Sequence, residues 1–348
     1  MHNTLFINDT RTQKNWGCHA TSFETEKFIK ELGLNITSSI RLDVLHDSSR
    51  TTEYCHKIDT DSLDLVIING EGSIYDSQPK GLNIFQCIGL LHSKKPSLKF
   101  LFLNSTYDLS SEQMVKKLNE CKKIVSLFTA REPVSLNNMK GLGVNNIILQ
   151  PDFIYQKYQT EEPKGIVVGG NSNYYRGDRP PFNAVSAYTN LINKLKRSTE
   201  EQITLYASGN EEVGWLHQIS QNTNTKLITV DNTDFKTAHK ILASAKLSIS
   251  GRYHPSIMSL TGLTPCYFIS ANNCKMKGTH ALFCQDDSNF SNSHELGKDT
   301  EKILSWVQYS LQNYENERSK INSKLDMVIS SLASAKSRIK ELIREAIK

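Results

Sequence analysis

The sequence predicts an α/β fold built twice in succession. Two observations carry that prediction. Short apolar runs alternate with longer stretches of helical period along most of the chain, and a polar stretch at 154–164 interrupts this alternation before it begins again. Alternation of this kind argues for βαβ units and parallel sheets. Two such halves resemble Rossmann-like domains facing a cleft: an N-terminal domain at 1–155 and a C-terminal domain at 165–300. A helical segment follows at 301–348.

In the first half the apolar runs Leu5–Ile7, Ile40–Val44, Leu65–Ile68, Lys99–Leu103, Ile124–Leu127 and Ile147–Leu149 read as strands. Helical patterns between them include Thr21–Leu32, with Thr21 and Glu24 spaced as a capping box, Glu112–Cys121 and Pro133–Lys140. The second half repeats the scheme with strands Gly165–Val168, Ile203–Tyr206, Lys226–Thr229, Lys246–Ser250 and Cys266–Ile269. Its helices are read at Phe182–Leu195, Val213–Gln221, Phe235–Ala243 and Ser256–Leu260. In the tail, Ile321, Leu325, Val328, Ile329, Leu332, Ile339, Leu342 and Ile343 recur at three- and four-residue steps.

Composition narrows the function. The chain has 348 residues, 38% hydrophobic and 22% charged, which is ordinary for a soluble globular protein. A net charge of +5 suits an anionic substrate but is too mild for a dedicated nucleic-acid binder, so no nucleic-acid partner is expected. The seven cysteines are scattered without a C-x-x-C, which predicts free thiols in a reducing cytoplasm and neither zinc nor a disulfide framework. No secretory signal pattern opens the chain, and no apolar run approaches membrane-spanning length. A cytoplasmic protein is therefore expected. The basic residues Lys336, Arg338, Lys340, Arg344 and Lys348 leave two readings of the tail. It is a helix packed on the domains, or it makes peripheral contact with the inner face of a membrane.

Ligands of open α/β sheets bind beyond the carboxyl ends of the strands, and the candidate residues all fall there. The strongest group is Ser250-Gly251-Arg252-Tyr253-His254-Pro255-Ser256. Gly251 permits a sharp turn after a buried strand, and Pro255 suits the first helical position. Arg252 and His254 then flank the amides of a helix start, an anion site. In Asn69-Gly70-Glu71-Gly72-Ser73, two glycines let a backbone approach a ligand while Glu71 is presented as a base for a sugar hydroxyl; a turn whose Glu caps the next helix is the alternative. Asn15-Trp16-Gly17-Cys18-His19 is either a ligand-facing loop or one in which Trp16 packs on its own domain. Arg131 sits at a strand–helix junction, either bound to a ligand or paired with a carboxylate. Gly169-Gly170-Asn171-Ser172 allows close backbone approach but lacks a dinucleotide fingerprint. Arg176 and Arg179 follow it as a basic flap or solvated charges. Lys275 adds charge near the same strand ends, or is a surface lysine.

Taken in order, these segments resemble the polysaccharide pyruvyltransferase family. The carrying residues are Asn15-Trp16-Gly17, Asn69-Gly70-Glu71-Gly72, Ala130-Arg131-Glu132 with Ser135 and Leu142-Gly143, Gln150-Pro151-Asp152, and Ser250-Gly251-Arg252-Tyr253-His254 followed by Gly262-Leu263-Thr264-Pro265. Many relatives have a run of glycines where this chain has Asn69-Gly70-Glu71-Gly72. The resemblance implies a fold similar to GT-B glycosyltransferases, with a C-terminal helix returning towards the first domain. It also implies transfer of a pyruvyl group from phosphoenolpyruvate to two hydroxyls of a saccharide, forming a cyclic ketal in surface polysaccharide synthesis. Donor binding is carried onto Arg131, Arg252 and His254.

The expected donor site grips a small trianion with guanidiniums that stay charged and bind oxyanions bidentately. Expected substrate contacts are Arg131, Arg252, Tyr253, Asn15, Trp16, Asn69, Gly70, Gly169, Asn171 and Lys275, with His254 as acid and Glu71 as base. No metal and no cofactor beyond the donor substrate are expected, and the acceptor is a saccharide, free or lipid-linked. Two rivals remain: a GT-B glycosyltransferase with a nucleotide-sugar donor, and a non-catalytic saccharide-binding protein.

Overall fold

A computed structural model describes residues 2–171, 183–284 and 286–346. Ser172, the Arg176 and Arg179 flap and the start of the helix expected from Phe182 lie outside the described residues. The chain divides into two compact units. Unit 1 comprises Met1–Thr12, Thr21–Phe153 and Ser330–Lys348; unit 2 comprises Gln13–Ala20 and Ile154–Ile329. The division is not linear: a short early segment belongs to unit 2 and a late one to unit 1.

Unit 1 is a parallel sheet of β1 (His2–Asp9), β2 (Leu34–Arg41), β3 (Leu65–Tyr75), β4 (Lys99–Asp108), β5 (Leu127–Ala130) and β6 (Ile147–Leu149) in the order β2-β1-β3-β4-β5-β6. Its helices are α1 (Trp16–Glu31) from Thr21 onward, α2 (Leu42–Leu45), α3 (Ser48–Lys57), α4 (Pro79–Lys94), α5 (Glu112–Cys121) and α6 (Pro133–Gly141). Apolar runs predicted as strands supply much of the core, where Leu5, Ile7, Val66, Ile68, Phe100 and Phe102 pack with Ile84, Ile88 and Leu118 from the helices; the run expected at Ile124–Leu127 instead leads into β5, which carries Phe128. Caps start the helices where the sequence supplies acceptors. Ser111 accepts from the Met114 amide of α5, and Glu132 accepts from that of Ser135, with Pro133 at the first turn of α6.

Unit 2 repeats the plan with β7 (Ile166–Asn171), β8 (Ile203–Ala207), β9 (Lys226–Thr229), β10 (Leu247–Gly251), β11 (Cys266–Ile269) and β12 (Phe290–Ser291) in the order β12-β11-β10-β7-β8-β9. Around them stand α7 (Ala184–Ser198), α8 (Asn210–Thr223), α9 (Phe235–Ala243), α10 (Tyr253–Thr261), α11 (Lys275–Phe283) and α12 (Thr300–Gln312), with α13 (Tyr314–Ala346) counted here only as far as Ile329. Its core gathers Val168, Leu205, Leu216, Leu247, Ile249, Tyr267 and Trp306. Each sheet has one topological switch point, where neighbouring strands lead away in opposite directions: between β1 and β3 in unit 1, and between β7 and β10 in unit 2.

Several elements differ from the sequence expectation. Helix α1 begins at Trp16, not Thr21, because Asn15 supplies the cap: its Oδ1 accepts from the amides of Gly17 at 2.9 Å and Cys18 at 3.2 Å. Thr21 is therefore mid-helix and buried. Strands β3, β4 and β7 run on through the polar and glycine segments expected to be loops, so Asn69–Ser73 and Gly169–Asn171 are strand residues. The apolar stripe of α13 is buried at Leu325, Val328, Leu332, Ala335, Ile339 and Ile343. Lys336 lies over the rings of Phe28 and Phe153 at 5.4 and 5.5 Å. Among the described residues no helix is long and apolar enough to cross a membrane.

The stretch expected to link the halves is tied to unit 2. Tyr158 donates its amide to the Thr261 carbonyl at 2.9 Å, and its ring meets that of His239 at 4.3 Å between centroids. The His239 Nε2 lies 2.7 Å from Thr261 Oγ1. Burial pushes His239 from 6.5 down to about 4. The unfolded chain then takes up a proton below pH 6.5 that the folded chain refuses until about pH 4, so this group makes stability fall as pH falls across that window. Replacing His239 with Asn is expected to flatten that part of the stability–pH curve, read by urea unfolding at stepped pH. An unchanged slope would refute the assignment.

Candidate active site

The candidate residues of unit 2 converge at its switch point. β10 ends at Gly251, paired in register with Asn171 of β7; a Cβ on Gly251 would stand 2.3 Å from that of Asn171. Only glycine permits this approach of the two strands. Arg252 is the N-cap of α10, and Tyr253, His254 and Pro255 form its first turn. The helix thus starts two residues earlier than Pro255 suggested. Proline is tolerated at the third helical position because that amide has no intrahelical acceptor in any case. Arg252 provides no side-chain cap. Instead Ser250 Oγ accepts from the Arg252 amide at 3.0 Å, steadying the turn.

The Arg252 side chain is nearly buried and held by three groups. Its Nε donates to Ser208 Oγ at 3.1 Å and lies 3.4 Å from Glu212 Oε2, and its Nη2 donates to Glu211 Oε1 at 2.7 Å. Both carboxylates belong to the first turn of α8, just beyond β8. Glu212 is completely buried, and its Oε2 accepts from the amides of Ser208 at 3.0 Å and Gly209 at 3.2 Å. Burial lifts its carboxyl to about 7, with Arg252 pulling the other way. Burial also acts to raise Glu211, but Arg252, helped by Lys275, holds it below the usual carboxylate range. Sequence reasoning missed both glutamates. Two acids at a helix start read as an ordinary response to the helix dipole.

The segment at 13–20 is built into this site. Asn15 forms an antiparallel bridge with Gly209, and the Trp16 amide donates to the Ser208 carbonyl at 3.0 Å. The Trp16 indole donates to the Thr233 carbonyl at 2.7 Å, and its ring lies 6.2 Å from that of Tyr206. Trp16 is therefore a buried anchor on the second α/β unit, at 2% exposure. A Cβ on Gly17 would come within 2.0 Å of His254 Nδ1, so the missing side chain is what lets the imidazole lie against α1. Glycines 169 and 170 serve packing in the same manner: a Cβ there would strike the Tyr206 ring at 2.1 Å and Glu212 Oε1 at 2.5 Å. Asn171 donates to the Tyr188 hydroxyl at 3.2 Å. Lys275 donates to Asn272 Oδ1 at 2.8 Å.

Unit 1 has its own polar cluster at the switch point. Glu71 Oε1 accepts from Thr10 Oγ1 at 2.6 Å and Asn69 Nδ2 at 2.9 Å. Asn8 donates to the Asn69 carbonyl at 2.6 Å, and Asn104 Nδ2 donates to Asn69 Oδ1 at 3.3 Å. On these three adjacent strands Asn8, Glu71 and Asn104 take left-handed backbone conformations, with φ of 65°, 44° and 53°. Asn tolerates that region; a glutamate there is a genuine strain, held by bulges on all three strands. Gly70 faces Ser105, whose Oγ would be 2.4 Å from an added Cβ.

Arg131 is also in unit 1, at 1% exposure. Its Nε donates to Thr106 Oγ1 at 2.8 Å and its Nη1 to Asp152 Oδ2 at 3.1 Å. An anion binding at Nη1 would displace Asp152. Unit 2 also has a half-open pocket of about 860 Å³, lined in part by Pro265, Cys266, Phe268, Trp306, Ile321 and Lys324. None of the candidate residues lines it. No group of acidic, histidine or cysteine side chains suited to a metal occurs among the described residues.

Comparison with known proteins brings two kinds of likeness. The family described as polysaccharide pyruvyl transferase matches residues 15–273. No curated protein matches the chain. Among solved structures, the chain resembles the UDP-GlcNAc 2-epimerase from Neisseria meningitidis bound to UDP-GlcNAc, with a TM-score of 0.55 at 9% identity, over 95% of this chain and 100% of that one. The UDP-GlcNAc 2-epimerase of Methanocaldococcus jannaschii gives 0.54 at 12%, over 88% and 92%. A variant of the Thermobaculum terrenum O-GlcNAc transferase gives 0.50 at 11%, over 99% and 68%. At these identities the likeness establishes the fold, two Rossmann-like α/β units of GT-B type.

Proposed function

The chain belongs to the polysaccharide pyruvyl transferase family, and from that premise we propose that it moves the pyruvyl group of phosphoenolpyruvate onto two hydroxyls of a saccharide, closing a cyclic ketal. The observation that carries the donor assignment is the placing of Arg252 at the N-cap and His254 in the first turn of α10, beside the switch point of a parallel sheet. A guanidinium and a helix start there suit a carboxylate or phosphate.

In the proposed reaction an acid protonates C3 of the enol, and cationic character develops at C2. A sugar hydroxyl attacks C2 and loses its proton. The C2–O bond to phosphate breaks, phosphate leaves, and the second hydroxyl closes the ketal with loss of its own proton. His254 is the proposed acid, held by the Tyr253 ring 5.0 Å away and by the space above Gly17. Glu71 is the proposed base for an acceptor hydroxyl, its Oε1 aligned by Thr10 and Asn69. Asn15 and Trp16 shape the ground on which His254 and Arg252 stand.

Calorimetry tests the donor: phosphoenolpyruvate is expected to bind, and UDP and CMP are not. Binding of UDP alone would turn the reading to a nucleotide-sugar donor. Incubation with phosphoenolpyruvate and a panel of simple and lipid-linked glycosides is expected to add a pyruvyl mass and release phosphate. A panel that yields neither would leave a saccharide-binding protein. Replacing Gly17 with Ala is expected to drive the imidazole aside and cut turnover by about 10²-fold, the scale of a 1 Å misplacement. Full turnover in that variant would remove His254 from the chemistry.

A further inference from the structure

We infer that Glu211 is an electrostatic gate on the anion site: its carboxylate holds the guanidinium that the donor needs, and surrenders it only to a ligand of higher charge. The inference rests on the proposed donor reading and deepens it by naming what sets the site's selectivity. Two carboxylates share the single guanidinium of Arg252, through Glu211 Oε1 at 2.7 Å and Glu212 Oε2 at 3.4 Å. An approaching anion therefore meets a cation already neutralised.

One carboxylate must give way, and the surroundings decide which. Glu212 has a side chain of 0% exposure and is tied to the backbone amides of Ser208 and Gly209. Turning it out would strand those amides and a buried carboxyl. Glu211 has a side chain 45% exposed, so water takes over as it leaves. Of the two carboxylates, Glu211 is the more readily exchanged, because its side chain is the one open to solvent. Space is reserved for the pair: a Cβ on Gly209 would stand 2.5 and 2.7 Å from the Glu211 oxygens and 2.8 Å from Arg252 Nη2. Lys275 is a second cation acting on Glu211 and favours its ionised form.

Such a gate sorts ligands by charge. A monoanion offers Arg252 nothing that Glu211 does not already give. A ligand with a phosphate and a carboxylate offers a bidentate, more highly charged replacement. Removing the gate should help inorganic phosphate more than phosphoenolpyruvate, since the smaller anion competes less well.

The test is calorimetry of phosphoenolpyruvate and of inorganic phosphate with the parent, Glu211→Gln, Glu211→Ala and Arg252→Gln proteins. Both Glu211 variants are expected to bind phosphoenolpyruvate about three- to ten-fold more tightly, with a larger gain for inorganic phosphate. A merely structural Glu211 would give unchanged or weaker binding. That result, with binding abolished in Arg252→Gln, would overturn the gate and leave the donor site standing. Parent-like phosphoenolpyruvate binding in Arg252→Gln would overturn the donor site and the gate together. The two Glu211 variants check each other, because one keeps the shape of the side chain and the other deletes it.

Discussion

Replacing Arg131 with Ala is expected to cost unit 1 about 3–5 kcal/mol, the scale seen when one partner of a buried ion pair is removed. The cost arises from what stays behind. Asp152 has a side chain of 0% exposure and faces Arg131 Nη1 at 3.1 Å. Without the guanidinium it is an uncompensated charge out of water, and Thr106 Oγ1 loses its donor as well. Urea unfolding of Arg131→Ala, Asp152→Asn and the double Arg131→Met with Asp152→Leu separates the terms. The double variant should recover much of the loss, because two apolar groups leave no charge stranded. A loss below about 1 kcal/mol for Arg131→Ala would mean that the pair is dispensable, as surface pairs are. The same protein, where it folds, reports by calorimetry whether Arg131 contributes to phosphoenolpyruvate binding, as the family resemblance implies.

His254→Gln is expected to lower turnover by about 10²–10⁴-fold, the usual range for a positioned acid. Phosphoenolpyruvate affinity should change much less, since Arg252 remains and glutamine keeps a donor in place. Steady-state kinetics read with calorimetry separates the two effects. Near-parental turnover would move proton donation to another group; a collapse of affinity with turnover preserved at saturation would make His254 a ligand to the anion instead.

The strand plan was legible because buried parallel strands are apolar runs, and Leu65–Ile68, Lys99–Leu103 and Leu247–Ile249 are such runs. Their ends were not. β3 and β4 continue through Asn69–Tyr75 and Asn104–Asp108, where a polar sequence ordinarily marks a loop. Register shifts and left-handed residues accompany these stretches, and some of their polar groups bond across strands, Asn104 to Asn69 and Thr10 to Glu71, which periodicity does not report. β2 runs from Leu34 rather than Ile40, because the edge strand's Thr37-Ser38-Ser39 looks like solvent-facing loop.

The candidate site was legible where a local motif carried it. Arg252, Tyr253 and His254 gather at one helix start, as their spacing suggested. Partners brought from afar were not legible. Nothing local joins Asp152 to Arg131 or Glu211 to Arg252, and Trp16 is anchored on Thr233, more than two hundred positions on. Sequence named the cations but not which carboxylates answer them, because folding brings the counter-ions to them.

The interleaved allotment of the chain bears on how it is born. Leu332, Ala335, Ile339 and Ile343 are buried apolar residues of the stretch that belongs to unit 1, yet they leave the ribosome only after all of 154–329. The nascent first unit must wait with an unclosed greasy seam while the second is made, an interval in which chaperones would find a foothold. A chain cut at 329 would keep that seam open for good.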